Sequence, residues 1–536
     1  MKKLITAILI GLIFNINAFD GNAQVVDIEK TYEITGKAKR GALAKVDYDG
    51  LNGLYILYYV TKSREKYMKF QIYTFDKDFN FVNMEEDEIE FEKVKTKYKW
   101  FDFNGELYSV QGNYVEPNLI GTLVLKEKKI TYKYDWLFLG YHKNVEILKK
   151  VKPKTDDGRK FYYYAHAEDD ETGFIYVLCG IKANLKSVKG GGDPYSQNRD
   201  MVVLKFNPEL EIVKEVSIKF DYPQNLAFNR AYSEYDENFN VTNEVGGMIF
   251  VTSPMGGPGM NKVADPENAN YTFVNVDSEC NLVSQIPFKS YASFWKIDEL
   301  VLDVTNNDMY LFGPSAAGKD KYYNLAMATT KFKAVQLLKI SNNKLEYITE
   351  TDLEEFEAKF QKPPSQKKAP AYKGKKFEIA NYKLAGNGDL FVIGQNFTPN
   401  QEKGNQYKDV LAFHFDNKGT LKAQYGVDIK ESNKYAKAAG APQEFIENSD
   451  GSGMFWLLME FKGLTMWGGK PLTYPRIGKI DLANGTISDF SDYGVDGDYY
   501  LDPKFPYLET DKGHRIVFFG SNKSGKVIWF LRVNIE

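Results

Sequence analysis

The chain has 536 residues and a formal net charge of −3, and its 37 tyrosines and 37 phenylalanines raise the aromatic content to 15%. A net charge so close to zero argues against general nucleic-acid binding, which needs a basic surface. The aromatic content favours β structure, because Tyr and Phe pack well on pleated, half-buried surfaces. A chain of this length exceeds one ordinary core, so several domains or one large repeat array is expected.

The first two dozen residues are predicted to be a secretory signal peptide. A lysine pair comes first, the stretch from Leu4 to Ile16 is apolar, and small residues follow it. Cleavage is predicted after Ala23, with Ala18 as the alternative, which makes residues 1–23 the signal peptide and 24–536 a single mature domain. No cysteine lies near the cleavage site, so a lipid anchor is not expected, and no later stretch is apolar enough to span a membrane. The protein is therefore predicted to be exported, to the periplasm or the cell exterior, where it could associate with the outer membrane.

The chain contains two cysteines, Cys179 in an apolar strand and Cys280 in a turn. Two cysteines are too few to form a disulfide framework in an exported protein of this size. Both are predicted to be free thiols.

A short apolar strand recurs along the whole chain. In its clearest copy, from Gly386 to Leu421, the sequence reads GNGDLFVIG, then a polar segment, then YKDVLAFHFDNKGTL. Gly, Asn or Asp precedes each copy, as tight hairpin turns require. The eight copies are marked by the aromatic residues Tyr55, Tyr108, Tyr176, Phe250, Tyr310, Phe391, Trp456 and Phe518.

A second strand with alternating polarity follows each copy, for example in VLKFNPELE and AFHFDNKGT, and ends in a turn opened by Asp, Asn or Ser. Repeated four-stranded antiparallel units predict an all-β fold, a β-propeller. We count eight units, with seven as the alternative because the copy at Tyr108 is weak. The spare strand Thr31–Ala38 is predicted to complete the last blade, which lacks an outer strand, and so to close the ring.

This blade pattern resembles that of secreted bacterial β-propeller-like proteins of an uncharacterised family. The resemblance covers nearly the whole mature chain and rests on the repeat pattern alone. It implies a fold and carries over no functional residue.

A short helix and a lysine-rich loop are predicted to be inserted at about 351–376. Thr351 and Glu354 form a capping box, and Leu353, Phe356 and Phe360 share one face. The following run, KPPSQKKAPAYKGKK, is predicted to be a polar, mobile loop.

The long connections are predicted to lie on one face of the propeller. Connections between the first and second and between the third and fourth strands of a blade are tight, whereas those on the other face are long. Long irregular connections are usually functional or disordered. The long ones are Ile181–Asp200, Ser253–Asn270, Pro314–Lys333, Asn396–Lys408 and Lys462–Tyr474.

This face also carries the candidate binding residues. Basic and aromatic side chains there would suit an anionic glycan or protein partner, although a solvated lysine-rich loop is the plainer interpretation. Trp467 and Met466 could stack on a sugar or anchor a partner, or could pack as a plug over the ring. The other candidates are Arg476, Lys319, Lys321, Tyr322 and Tyr323.

The acidic segment DFSDYGVDGDYYLD supplies the candidate metal ligands Asp492, Asp496 and Asp498. Oxygen ligands at alternate positions suit Ca²⁺, but the EF-hand spacing is missing, and a hydrogen-bonded loop is the competing interpretation. No other cofactor is expected.

No catalytic residues are predicted. The four histidines lie in separate units without zinc-ligand spacing, and His414 is expected to be a packed or surface residue. No nucleophile elbow or reactive-cysteine signature occurs.

The sequence therefore favours an exported, non-catalytic binding or scaffold propeller that recognises a protein or glycan of the cell envelope through one face. A polysaccharide-acting hydrolase or lyase, with its site at the channel mouth on that face, is the alternative. A structural component of the outer membrane is a third hypothesis.

Overall fold

The computed structural model describes residues 25–63, 67–90, 98–101, 107–135, 140–183, 196–236, 241–255, 271–291, 295–315, 333–368, 370–374, 376–400, 402, 404–431, 433–465, 470–510 and 514–535. The predicted signal peptide lies outside these residues. None of the helices within them is long and apolar enough to cross a membrane.

The first half of the chain forms four antiparallel sheets of four strands each. Strand β1 (Val25–Glu33) and helix α1 (Gly36–Arg40) precede them, and helix α2 (Ser196–Arg199) lies between the second and third strands of blade 3. The strands of blades 1 to 4 are, in order, β2 (Ala42–Asp49), β3 (Leu54–Ser63), β4 (Tyr67–Phe75) and β5 (Phe81–Glu90); β6 (Tyr98–Phe101), β7 (Leu107–Val115), β8 (Leu125–Asp135) and β9 (Gly140–Val151); β10 (Phe161–Glu168), β11 (Ile175–Ile181), β12 (Asp200–Phe206) and β13 (Ile212–Lys219); β14 (Gln224–Tyr235), β15 (Val241–Pro254), β16 (Tyr271–Asp277) and β17 (Leu282–Phe288).

The second half forms four more sheets, three of which carry a fifth strand. Helices α3 (Leu353–Ala358) and α4 (Lys434–Ala438) connect blade 5 to blade 6 and blade 6 to blade 7. The strands of blades 5 to 8 are β18 (Glu299–Asp303), β19 (Asp308–Ser315), β20 (Ala334–Ser341) and β21 (Lys344–Asp352); β22 (Phe360–Gln361), β23 (Phe377–Leu384), β24 (Leu390–Asn400), β25 (Gly404–Phe415) and β26 (Leu421–Val427); β27 (Gln443–Glu447), β28 (Gly453–Leu464), β29 (Pro471–Asp481), β30 (Thr486–Ile487) and β31 (Ser491–Asp492); β32 (Tyr499–Leu501), β33 (Tyr507–Thr510), β34 (Arg515–Asn522) and β35 (Val527–Asn534).

The eight sheets form a β-propeller closed by the N-terminal strand, which confirms the predicted fold and the count of eight. Strand β1 pairs antiparallel with β35 and is the outer strand of blade 8. Side chains reinforce the closure, because Arg532 Nε donates to Asp27 Oδ2 at 2.6 Å and Trp529 Nε1 donates to Glu29 Oε1 at 2.8 Å. Pairing β1 with β35 satisfies an edge that would otherwise be exposed.

The bounds of this closing strand differ from the predicted Thr31–Ala38. The strand begins at Val25, ends at Glu33, and gives way to α1. Thr35 ends the extended segment because its hydroxyl accepts the backbone N–H of Ala38 and caps α1. An alternating polar pattern cannot distinguish a strand from a capped helical turn over so few residues.

The recurring aromatic residues form the cores between blades. Phe250, Phe391, Trp456 and Phe518 are fully buried, and Tyr55, Tyr176 and Tyr310 nearly so. Each core combines neighbouring blades; one, for example, joins strands of blade 1 to strands of blade 8. The side chain of Tyr108 lies outside the described residues. The recurring strand therefore serves to pack neighbouring blades together, which explains why it occurs in every blade.

Two segments predicted as long loops are strands instead. Strands β24 and β25 continue their pairing to Asn400 and Gly404, so Asn396–Lys408 is an extended hairpin. Strands β28 and β29 likewise pair as far as Leu464 and Pro471, which leaves only 465–470 as the connection within Lys462–Tyr474. Polar residues in these two segments hide the strands, because the backbone pairing continues through them.

The insertion after blade 5 also differs from its prediction. Helix α3 has Asp352 as its N-cap without a side-chain hydrogen bond, whereas Thr351 is buried at the end of β21, so the predicted capping box does not form. The lysine-rich segment is not an unanchored loop in its described part. The Tyr372 N–H donates to Gln424 Oε1 at 2.8 Å, and Gln366 Nε2 donates to the Gly426 carbonyl at 3.1 Å.

Candidate functional site

A cleft with a volume of about 830 Å³ lies where blades 7, 8 and 1 meet. It is lined by α1, the first residues of β2, the end of β32 with the segment after it, the β34–β35 turn, and the two ends of the β28–β29 connection. The β28–β29 connection and the β34–β35 turn join the second strand of a blade to the third. Helix α1 and the residues around β32 lie where one blade leads into the next. The cleft, which we call the seam cleft, therefore opens on the face that the sequence analysis assigned to binding.

The rim of the seam cleft is basic. Lys39, Lys470, Lys504 and Lys523 are exposed and line it, whereas Asp502 is the one carboxylate among its described lining residues. Lys470 Nζ lies 3.9 Å from Asp502 Oδ2. In the described part of the chain, no carboxylate pairs with the other three lysines.

Neighbouring lysines outside the cleft are neutralised. Lys37 pairs with Glu86 at 3.1 Å, and Lys526 pairs with Glu33. The lysines that line the cleft thus differ from Lys37 and Lys526 in lacking a described carboxylate partner, Lys470 excepted. At an exposed site such charges attract anions over about one Debye length, roughly 8–10 Å in physiological salt.

The floor of the cleft is apolar and rigid. Leu57, Phe519 and Ile528 belong to the core between blades 1 and 8 and are at most 2% exposed. Burial, followed by a hydrogen bond to Asp498 Oδ1 at 2.9 Å, raises the pKa of Tyr500 to about 12, so this phenol stays neutral. The floor offers shape but no ionisable group at neutral pH.

A second cavity of about 240 Å³ lies on the same face between blades 5 and 6. Its walls include the aromatic rings of Phe312, Phe377 and Phe413, and it contains the ion pair between Lys296 and Asp298, whose charged atoms are 2.5 Å apart. Burial raises the pKa of Asp298, although the hydrogen bond with Lys296 opposes the shift.

Arg476, a predicted ligand-binding residue, lies inside blade 7 rather than on its surface. Its guanidinium is within 2.5 Å of Glu460 Oε2 and 3.1 Å of Asp492 Oδ1, and it also donates to the Asp428 carbonyl. The Arg476 side chain is 6% exposed and that of Glu460 1%. The structure gives Arg476 an internal role, and direct contact with a ligand stays a prediction.

The three candidate metal ligands do not assemble into a site. Asp492 pairs with Arg476 and Lys430, and Asp498 accepts the Tyr500 hydroxyl. Asp496 lies in a 3₁₀ turn, Val495–Gly497, that separates them. Among the described residues no group of three or more His, Cys, Asp or Glu side chains could hold a metal ion.

His414 and Asp389 form the most deeply buried histidine–carboxylate contact among the described residues, and its role is structural. His414 is fully buried, stacks on Phe391, and places Nε2 2.8 Å from Asp389 Oδ2. Burial lowers the pKa of His414, although Asp389 opposes the shift. Burial opposes the shift of Asp389, but hydrogen bonds with His414 and Lys422 hold its pKa below the usual value. The two side chains are 0% and 6% exposed, as in a packed core contact.

The remaining predicted residues lie outside the described part of the chain. They are Met466, Trp467, Lys319, Lys321, Tyr322 and Tyr323. Thr465 and Lys470, which flank the first two of these in sequence, line the seam cleft. The roles of all six stay predictions.

Sequence reasoning missed Lys39, Lys504 and Lys523 because their proximity arises from ring closure. Residue 39 follows the strand that completes blade 8, and residue 523 lies in that blade's last turn. The predicted pairing of an N-terminal strand with the last blade was the sequence feature from which the proximity of residues 39 and 523 could have been inferred. Both predicted free thiols, Cys179 and Cys280, are confirmed as free and buried.

No protein-family model matches the chain, and no curated protein sequence matches it. Among solved structures, it resembles the WD40 domain of SCAP from fission yeast at 7% identity and a TM-score of 0.27, over 95% of this chain and 98% of that chain. A Synechocystis apocarotenoid oxygenase mutant gives 10% identity and a TM-score of 0.28, over 81% and 93%. An α-L-arabinanase from Penicillium chrysogenum, complexed with arabinobiose, gives 9% and 0.24, over 71% and 95%. At these values the similarities carry no argument about activity, ligand or partner, and the propeller fold is evident from the sheet order itself.

Proposed function

We propose that this protein is an exported, non-catalytic binding or scaffold propeller, akin to secreted bacterial propeller-like proteins. Its partner is a protein or glycan of the cell envelope, recognised on the face that carries the seam cleft. The signal-like N-terminus supports export to the periplasm or cell exterior.

The observation that carries this proposal is the position and charge of the seam cleft. A cavity of about 830 Å³ falls within the size range of ligand sites, roughly 300–1,000 Å³. It combines exposed lysines at the rim with a rigid floor, and it lies on the face that the sequence analysis predicted for binding. This arrangement suits recognition of an anionic partner.

The alternative, a polysaccharide hydrolase or lyase, receives less support from the same cavities. Glycoside hydrolysis uses two carboxyl groups, about 5–10 Å apart, on either side of the scissile bond. Among described lining residues, the seam cleft provides only one carboxylate, Asp502, and the second cavity, between blades 5 and 6, only Asp298. The chemistry that both cavities offer favours binding over hydrolysis.

A face-specific block tests the proposal. The native thiols are buried, so a cysteine introduced at Ser524, in the β34–β35 turn, can be labelled selectively with a bulky maleimide. Lys418→Cys, in an exposed turn of the opposite face, is the matched control. Binding to an immobilised envelope fraction, measured by biolayer interferometry, should fall at least tenfold for labelled Ser524→Cys only.

Two results would refute the proposal. Equal binding by both labelled variants would mean that the seam-cleft face is not the recognition surface. Loss of binding only with labelled Lys418→Cys would assign recognition to the opposite face. A scaffold embedded in an outer-membrane complex predicts, in addition, that the protein co-purifies with membrane complexes.

A further inference from the structure

We propose that the seam cleft binds an acidic polysaccharide, one that carries carboxylate or sulfate groups. This inference rests on the proposed function and names the class of ligand for its face. The ligand would lie across the junction of blades 8 and 1, with its anionic groups among Lys39, Lys504 and Lys523.

The charge of the cleft favours an anionic ligand. Three lysines without a described carboxylate partner, Lys39, Lys504 and Lys523, line one concave rim, and like charges gathered there favour the approach of an anion. The pairing of Lys37 and Lys526 with glutamates shows that this chain neutralises lysines immediately outside the cleft. An anionic ligand supplies the compensation that the described chain lacks.

The hydrogen-bonding groups of the cleft favour an acceptor-rich ligand. The side-chain oxygen of Asn522 already accepts from the Ser524 hydroxyl at 3.0 Å and from the backbone N–H of Lys526 at 3.1 Å. Its amide NH₂ makes no hydrogen bond within the described part of the chain. Together with the lysine ammonium groups, it offers donors that ring, glycosidic and carboxylate oxygens can accept.

The same lining disfavours an acidic protein as the ligand. Protein partners are held mainly by aromatic, apolar and arginine anchors that enter pockets. Here the apolar floor, formed by Leu57, Phe519 and Ile528, is closed by core packing, and no arginine is among the described lining residues. Lysine supplies point charges without planar geometry, as suits a flexible, repeating anion.

Binding at the cleft would also be coupled to closure of the ring. Lys39 belongs to α1, which directly follows the closing strand β1, whereas Lys523 belongs to the turn between β34 and β35. A ligand that contacts both binds the closed ring and not an opened one. Ligand binding therefore raises the melting temperature of the protein.

The test measures the binding of four soluble polymers at low salt: polygalacturonate, dextran sulfate, neutral dextran and poly-L-glutamate. Wild type is compared with the cleft variant Lys39→Gln/Lys504→Gln/Lys523→Gln and with the matched variant Lys37→Gln/Lys526→Gln on the same face. We expect the cleft variant to bind acidic glycan at least about tenfold more weakly and the matched variant to stay within about twofold of wild type. Neutral dextran should not bind, and the tighter of the two acidic glycans identifies carboxylate or sulfate as the recognised group.

Several outcomes overturn the inference. These are equal losses in the two variants, tighter binding of poly-L-glutamate than of either acidic glycan, and no binding by wild type. The inference fails alone if the Ser524→Cys label blocks envelope binding while the cleft variant binds acidic glycans as wild type does. The proposed function fails instead if that label leaves envelope binding intact, whatever the soluble polymers do.

Discussion

Arg476 illustrates how a residue that suggests binding in the sequence is used for packing in the structure. An arginine near a polar connection is a reasonable ligand contact, but burial against Glu460 and Asp492 commits its guanidinium to internal charges. Removing one partner of a buried ion pair leaves a charge without compensation, which typically costs about 3–5 kcal/mol.

We therefore expect Arg476→Met to lower the free energy of unfolding by about 3–5 kcal/mol. Lys45→Met, which breaks the exposed pair between Lys45 and Asp47, should cost less than about 1 kcal/mol. Urea denaturation measures both. An Arg476→Met protein of wild-type stability that fails to bind the envelope fraction would show that Arg476 contacts the partner directly.

His414 makes the stability of the protein depend on pH. Burial lowers the folded-state pKa of His414 from its ordinary value of 6.5, so the unfolded chain binds the extra proton first as the pH falls. The charged groups around it are Asp389, Asp416 and Lys422. The lowered pKa of Asp389 affects stability only at more acidic pH, because its ordinary value is 3.8.

We expect the wild-type protein to lose stability between pH 7.5 and 5.5, and His414→Phe to lose less over the same range. Phe keeps the ring stacked on Phe391 but cannot titrate, so this variant should be less stable overall and less sensitive to pH. His142→Gln, at an exposed position, is the control for the loss of a histidine. Identical slopes for His414→Phe and wild type would contradict this account.

At the scale of elements, the glycine that ends the recurring strand has a steric cause. A Cβ at Gly394 would lie 2.2 Å from the Glu378 carbonyl, and one at Gly520 would lie 2.1 Å from the Tyr500 carbonyl. The neighbouring strand, β23 in blade 6 and β32 in blade 8, approaches the glycine too closely for any side chain. The pattern GNGDLFVIG was therefore recognisable as a repeat in the sequence, whereas the reason for its last residue required the pairing of strands.

Gly520→Ala tests this packing beside the seam cleft. We expect it to displace β32 and to destabilise the protein by about 1–3 kcal/mol, as overpacked sites do. Gly463→Ala is the matched control, because a Cβ at this strand glycine meets nothing within 4 Å. Thermal denaturation should separate the two variants, and equal melting temperatures would refute the steric explanation.

The extended hairpins show where element-level prediction failed. Alternating apolar residues identify strands that face a core, but β24 beyond Gln395 and β25 before Val410 project from the blade. Their backbone pairing persists where the cross-strand pair Phe397–Tyr407 is flanked by polar residues, so the alternating hydrophobic pattern that reveals other strands is interrupted.

For the whole molecule, the sequence was sufficient to predict the propeller, its eight blades and its closure by an N-terminal strand. Turn residues and an aromatic residue at the same place in the recurring strand occur in every blade, and both are visible in the local sequence. The seam cleft was not predictable in the same way, because residues from three blades form it and only the closed ring brings them together. Local patterns thus predicted the scaffold and the face that we propose for binding, whereas the particular lysines depend on tertiary structure.

Hydrogen–deuterium exchange with and without acidic glycan tests the central claim, that recognition occurs at the seam cleft. We predict slower exchange in peptides that cover α1, the Tyr499–Lys504 segment and the β34–β35 turn. No change is expected in the turns of the opposite face, such as Asp416–Gly419. Protection of that opposite face, or no protection anywhere when glycan is bound at saturation, would contradict the account.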